Sequence, residues 1–312
     1  MPTPIKWKSK TILLKNEATY GTDPTPTGGA NAMLLTDVTL QPMEGQDVSR
    51  NLELPYLAAQ EQIPTGVYVV MTGSFELVGG AAAGTAPAWG PALRACGVAE
   101  VITAGSKVEY SPISDNQESC GVYFGIGPSK HVILGARATV KCQFNAQGIP
   151  VGGLTITGLF SVPADAAAPT IDVTSWQAPQ VVTATNTPTF TIGGIAFVMR
   201  SFEMDLGNDV QPRMLVGSER IVIVDRQEAI ATVVEAQPYA NYNPFSIANA
   251  RTKQAIQLIH GTVVGKRVKL DIPVAQQKRP TGFQNAQGVL EWPLGFVPLP
   301  SSGNDQWKLT VY

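Results

Sequence analysis

The chain has 312 residues, of which 44% are apolar and only 15% charged, with a formal net charge of −2. That length and apolar content can fill two cores of ordinary size, and the near-neutral balance excludes a global basic field that would draw the protein onto nucleic acid or an anionic membrane. Cys96, Cys120 and Cys142 form no C-x-x-C or zinc spacing, so they read as buried, reduced thiols, which favours assembly in a cytoplasm.

The first residues, Met1 to Glu17, are basic, but their apolar run covers only Thr11 to Leu14. It is too short for a signal peptide, and residues 1–34 are expected to form an N-terminal arm and a first strand. Gln41 to Gly66 is polar and proline-bounded, and it reads as neither strand nor helix but as a long loop of the kind that carries function. Val67 to Val78 is rich in β-formers. Leu77 to Leu93 is the longest uncharged stretch, yet its glycines and prolines make it a loop leading into a short helix rather than a membrane span. Pro87 to Gly97 has prolines early and glycine last, the punctuation of about two helical turns.

From Arg137 to Asn145 the chain alternates strictly: Arg137, Thr139, Lys141, Gln143 and Asn145 lie on one side, and Ala138, Val140, Cys142 and Phe144 on the other. This is the pattern of a half-buried strand. Leu154 to Phe160 follows as another strand, and the Ala/Pro/Thr-rich Ser161 to Pro188 reads as a surface linker. Thr189 to Phe197, Ile221 to Val224 and Ile230 to Val234 are β-rich. Asn243 to Ala255 opens with a proline as a second short helix, and Arg267 to Ile272 and Trp307 to Tyr312 alternate again. The expected fold class is mainly β, with one short flanking helix in each half.

Short strings recur in order. Gly45-Gln46-Asp47-Val48 is echoed by Gly207-Asn208-Asp209-Val210, with Arg50 and Arg213 shortly after. Lys107 to Ile113 resembles Arg267 to Pro273 in polar and apolar order, and Phe144 to Gly148 resembles Phe283 to Gly288. One deletion of about twenty residues between the second and third matches reconciles their spacing, the trace expected of a duplicated module. The expected organisation is a first module over 35–160, a linker over 161–189 and a second module over 190–312.

Catalytic constellations are not evident. His131 and His260 have no Cys, His or Glu at ligand spacing, and Gly125 to Lys130 lacks the order of a phosphate-binding loop. No cofactor, metal or enzymatic activity is expected. Asp47, Arg50, Asp209 and Arg213 are candidate interface contacts, with solvated loop charge as the alternative. Leu52, Leu54, Tyr56 and Leu57 would expose apolar surface on the Gln41–Gly66 segment unless assembly covers it. Trp89 with Leu93, and Phe245 with Ile247, read as helix-to-sheet core sooner than as a binding platform. The polar face of Arg137, Thr139, Lys141, Gln143 and Asn145 is a solvated sheet face or, in a closed ring, a channel wall.

The run from Ile12 to Ala59, continuing through Gly84 to Glu100 and Leu134 to Phe160, resembles the major tail tube protein of long-tailed, non-contractile bacteriophages. The resemblance covers most of residues 10–165, and residues 190–312 match as a weaker second copy. It implies two β-sandwich or open-barrel modules in tandem, with self-association into rings stacked as the conduit for DNA ejection. Two modules per chain imply a trimer with pseudo-sixfold symmetry. In such a ring, the Gln41–Gly66 segment would touch an adjacent subunit or the next ring. The implied partners are further copies of the chain, the tape measure, tail terminator and distal tail proteins, and double-stranded DNA passing without tight binding, with no membrane. The implied location is the virion tail, assembled in the host cytoplasm. The competing readings are another tail or baseplate component with the same module, or a non-catalytic β-sandwich binding module.

Overall fold

A computed structural model describes residues 4–312; the start of the expected N-terminal arm, residues 1–3, lies outside the described residues. The first part of the chain forms β1 (Lys10–Asn16), β2 (Thr36–Ser49), β3 (Gln62–Glu76), α1 (Gly90–Arg94), β4 (Val98–Thr103), β5 (Lys107–Pro112), β6 (Cys120–Ile126), β7 (Ser129–Asn145), β8 (Val151–Leu159) and β9 (Ala164–Asp165). After an irregular stretch come β10 (Thr189–Ile192), β11 (Ile195–Ala196), β12 (Met199–Asp205), β13 (Asn208–Leu215), β14 (Ser218–Arg226) and β15 (Ala229–Glu235). The remainder is α2 (Pro244–Ala250), β16 (Lys253–His260), β17 (Val268–Gln277), β18 (Gln284–Ala286), β19 (Val289–Pro298) and β20 (Lys308–Val311). The protein is mainly β, as its alternating segments require, and among the described residues only two short helices interrupt the strands.

The strands build two layers. One runs β2–β3–β8–β7–β12–β15–β19, each antiparallel to the next. The other runs β4–β5–β20–β17–β16–β10–β11. Buried aromatic rings fill the space between them. Trp89 of the α1 region is fully buried between Phe75 on β3 and Tyr110 on β5, at 5.8 and 5.3 Å, and its Nε1 donates to the Val78 carbonyl at 2.7 Å. Phe144 on β7 meets His260 on β16, and Phe202 on β12 meets Phe190 on β10. Burying such rings removes large apolar areas from water and dominates the stability of each layer contact.

The two parts of the chain trace the same series of pairings. In the first, β1 pairs with β6, β6 with β7, β7 with β8, β8 with β3 and β3 with β2. In the second, β10 pairs with β16, β16 with β17, β17 with β19, β19 with β15 and β15 with β12. The β4–β5 hairpin has no equivalent after α2, which leads directly into β16. The likeness between Lys107–Ile113 and Arg267–Pro273 therefore falls on strands in different places: β17 takes the position of β7, not of β5. The Phe144–Gly148 and Phe283–Gly288 strings do fall on equivalent turns, entering β8 and β19. In both, the glutamine adopts a left-handed conformation, with φ of 63° at Gln147 and 55° at Gln287.

Two expectations fail. The helix expected over Asn243 to Ala255 stops at Ala250, where Arg251 turns left-handed, and Lys253 to Ala255 already belong to β16. Gln41 to Gly66 is not an irregular loop: β2 and β3 form a long hairpin, and only residues 50–61 lie outside its strands. Its outer part is bare on both faces, so neither face needs apolar residues and the alternation that marks a half-buried strand never appears. Pro42 lies in the break of register between Gln41 and Glu44, where the ladder is already interrupted and a missing N–H is tolerated.

Candidate assembly surface

The polar residues of β7 lead to the join between the two parts of the chain. β7 pairs with β12 over Lys141–Asn145 and Ser201–Asp205. Lys141 Nζ lies 3.2 Å from Glu203 and 3.3 Å from Asp205, and Gln143 donates to Glu203 at 2.8 Å. The hydrogen bond to Glu203, more than any other influence, holds the Lys141 pKa above its ordinary value. Antiparallel pairing makes these contacts unavoidable, because residues directly opposite on one face lie within about 5.5 Å. Lys141 is 43% exposed, so the cluster fixes register more than it stabilises.

After β12 the chain turns at Gly207, φ 58°, and β13–β14 runs as a hairpin across β7 and β8. Asn208, at its base, is buried. Its Nδ2 donates to the carbonyls of Cys96, just past α1, at 2.7 Å and of Ala138 on β7 at 2.9 Å. Arg226, opposite Asn208 in the hairpin, donates to Asn208 Oδ1 at 2.8 Å and to the carbonyls of Cys96 and Gly97 at 3.1 and 2.7 Å. The contacts to Cys96 satisfy a carbonyl at the end of the α1 region that has no helical partner, and the Gly97 carbonyl, which also accepts from the Ile113 N–H at 3.0 Å, gains a second donor. Burial lowers the Arg226 pKa. Farther along, the Tyr20 hydroxyl accepts from the Ile221 N–H at 2.6 Å, and its ring stacks beneath the Arg137 guanidinium at 5.6 Å.

The candidate residues thus divide. Arg137 is half-buried under this hairpin and donates to the Gln117 carbonyl at 3.2 Å. Thr139 accepts from the Asn208 N–H at 3.3 Å. Lys141 and Gln143 face Glu203 and Asp205, and Asn145 is exposed at the turn. Asp209 and Arg213 are exposed on the covering hairpin, and Asp209 accepts from Gln211. Asp47 is exposed, Arg50 reaches Glu61 at 3.5 Å, and Leu52, Leu54, Tyr56 and Leu57 crown the first hairpin with 41% or more of each exposed. Sequence reasoning missed Asn208, Arg226, Tyr20, Glu203 and Asp205. For Asn208 the signal was present in the repeated Gly-x-Asp-Val string.

The remaining chemistry-bearing groups are structural. His260 is buried between the Thr187 hydroxyl at 2.9 Å and the Gln180 carbonyl at 3.1 Å, and burial lowers its pKa. His131 packs edge-on against Phe124. The three thiols are free and buried, and burial pushes each pKa upward.

One edge of the first layer is open and the other is covered in part. β2 pairs only with β3, leaving its other side bare. At the far end, β17 and β18 cover only the two ends of β19, with an irregular stretch at 278–283 between them. No curated protein matches the chain. A family model described as phage tail tube protein matches residues 7–261, well over half of the sequence. The chain belongs to the phage tail tube protein family, and it is a structural component of a phage tail, not an enzyme.

Proposed function

We propose that this protein is the repeating subunit of a tail tube, in which three chains close into a ring and rings stack into the conduit for DNA ejection. Residues 35–160 and 190–312 are two copies of one module, so three chains supply six equivalent positions. One observation carries this reading: the two parts share their series of pairings and join edge to edge through β7 and β12, while β2, at one outer edge of the same layer, pairs only with β3, and β19, at the other, is covered only at its ends. An unpaired edge is a template for another strand, and cyclic closure removes it.

The purified protein, imaged by negative-stain microscopy and weighed by native mass spectrometry, should give rings of three chains. A ring of six full chains, or a protein that remains monomeric at high concentration, refutes the proposal. The channel wall should carry no net positive potential, since Lys141 stands between Glu203 and Asp205 and a basic wall would hold DNA with strongly salt-dependent affinity. Tubes should not retain duplex DNA even at low salt.

A further inference from the structure

The Gly-x-Asp-Val string occupies the same place in both long hairpins. Gly45 and Gly207 each bend the outgoing strand at a positive φ, 155° and 58°, and the next residue carries a side-chain amide in both. Gln46 faces Thr65 across its hairpin as Asn208 faces Arg226. Their surroundings differ completely. Asn208 is buried and holds the carbonyls of Cys96 and Ala138, whereas the Gln46 side chain is exposed and has no hydrogen-bond partner among the described residues.

What Asn208 grips has an equivalent in the second half. The α1 region ends at Gly97 with φ 69°, and α2 ends at Arg251 with φ 56°, so both close in the left-handed conformation. Cys96 precedes the first and Ala250 the second. Cys96 is buried beneath β13–β14; Asn249, Ala250 and Arg251 are exposed, and the Ala250 carbonyl accepts no hydrogen bond from the described chain. The chain thus contains one gripped helix end, one bare helix end, one gripping amide and one idle amide.

We propose that Gln46 of one copy donates to the Ala250 carbonyl of a neighbouring copy. Hairpin β2–β3 then laps over the neighbour's second half as β13–β14 laps over the first half of its own chain. This rests on the ring reading above and names the contact that joins one chain to the next. Thr65 stands where Arg226 stands in the internal version, so the contact between chains lacks the guanidinium and is the weaker of the two, suited to reversible addition.

The test pairs crosslinking with assembly. Gln46→Cys combined with Ala250→Cys, treated with a short bis-maleimide, should link chains into covalent oligomers in assembled tubes; the native thiols are buried and do not compete. Gln46→Ala should leave the melting temperature of the monomer unchanged while raising the concentration needed for assembly about tenfold, the effect of losing roughly one hydrogen bond per contact. Thr65→Arg should lower that concentration. Tubes that form normally but give no crosslink, or Gln46→Ala protein that assembles at the wild-type concentration, overturn the contact and leave the ring standing. Wild-type protein that never assembles overturns the ring, and this contact with it.

Discussion

The helix after the first long hairpin and the helix after the second share sequence signals but not surroundings. Each has a proline in its first turn and is followed by a left-handed residue, Gly97 three residues past the end of α1 and Arg251 directly after α2. The α1 region is sealed: Trp89 lies between two sheets, and Asn208 and Arg226 close its carbonyl end. The outer face of α2 is bare, with Phe245 41% exposed and touching only Tyr239 and Phe283 among the aromatic rings. The difference arises outside the helices. α1 itself packs on β1, β4 and β7, and what closes its carbonyl end is a hairpin supplied by the other half of the chain; no segment of the described chain does the same for α2. Local sequence decides that a helix forms; the topology decides whether it becomes interior.

The sharpest way to break this comparison is to truncate one aromatic at each helix. Trp89→Ala should cost about 3–5 kcal/mol in urea unfolding, since it empties a fully enclosed site and orphans the Val78 carbonyl. Phe245→Ala should cost no more than about 1 kcal/mol in the monomer, because a ring left partly in water loses little burial when it is removed; equal losses would mean that α2 is as deeply packed as α1. Next comes the amide pair. Asn208→Ala should lower stability by about 2–3 kcal/mol, because two carbonyls and the Arg226 guanidinium lose a partner in a buried site.

A smaller effect depends on pH. His260 is neutral in the fold and its pKa is held below 6.5 by burial, so the unfolded chain takes up its proton first. Its contribution to stability is complete above pH 6.5 and is lost as pH falls below that value. When melting temperatures at about pH 7.5 and 5.5 are compared, His260→Gln should show a shallower decline than wild type. The smallest change is expected at the join itself. Lys141→Ala should cost at most about 1 kcal/mol, because the ammonium is 43% exposed and its ion pairs are screened; a loss that persists in high salt would show the cluster to be more than a register device.

Much of the β framework was legible because burying one strand face imposes a period of two: Arg137–Asn145 alternates in the sequence, and its apolar partners are buried in the structure. The first hairpin escaped notice for the complementary reason. Residues 45–49 are exposed on both faces, so hydrophobic patterning had nothing to act on, and the proline and glycines suggested a loop. The site was half legible. The repeated Gly-x-Asp-Val string pointed to the right place, but its charges drew the eye to Asp47 and Asp209, which are solvated, while the uncharged amide between glycine and aspartate makes the contact. Its carbonyl partner on Cys96 lies 112 residues away in sequence, a distance over which a single sequence carries no pairing signal. Likewise, alternation on β7 announced a polar face without announcing that β13–β14 would lie across part of it.

The hairpin folded over the join has a mechanical consequence. The two halves meet along two ladders of hydrogen bonds, β7–β12 in one layer and the shorter β5–β20 in the other. Asn208 and Arg226 fasten the second half to the first at a third place, off the β7–β12 ladder and beside α1. A fastening off that ladder turns bending about it into stretching and compression of short polar contacts, which resist far more stiffly than torsion about a strand. The angle between the two halves is thereby set within one polypeptide before any neighbour arrives.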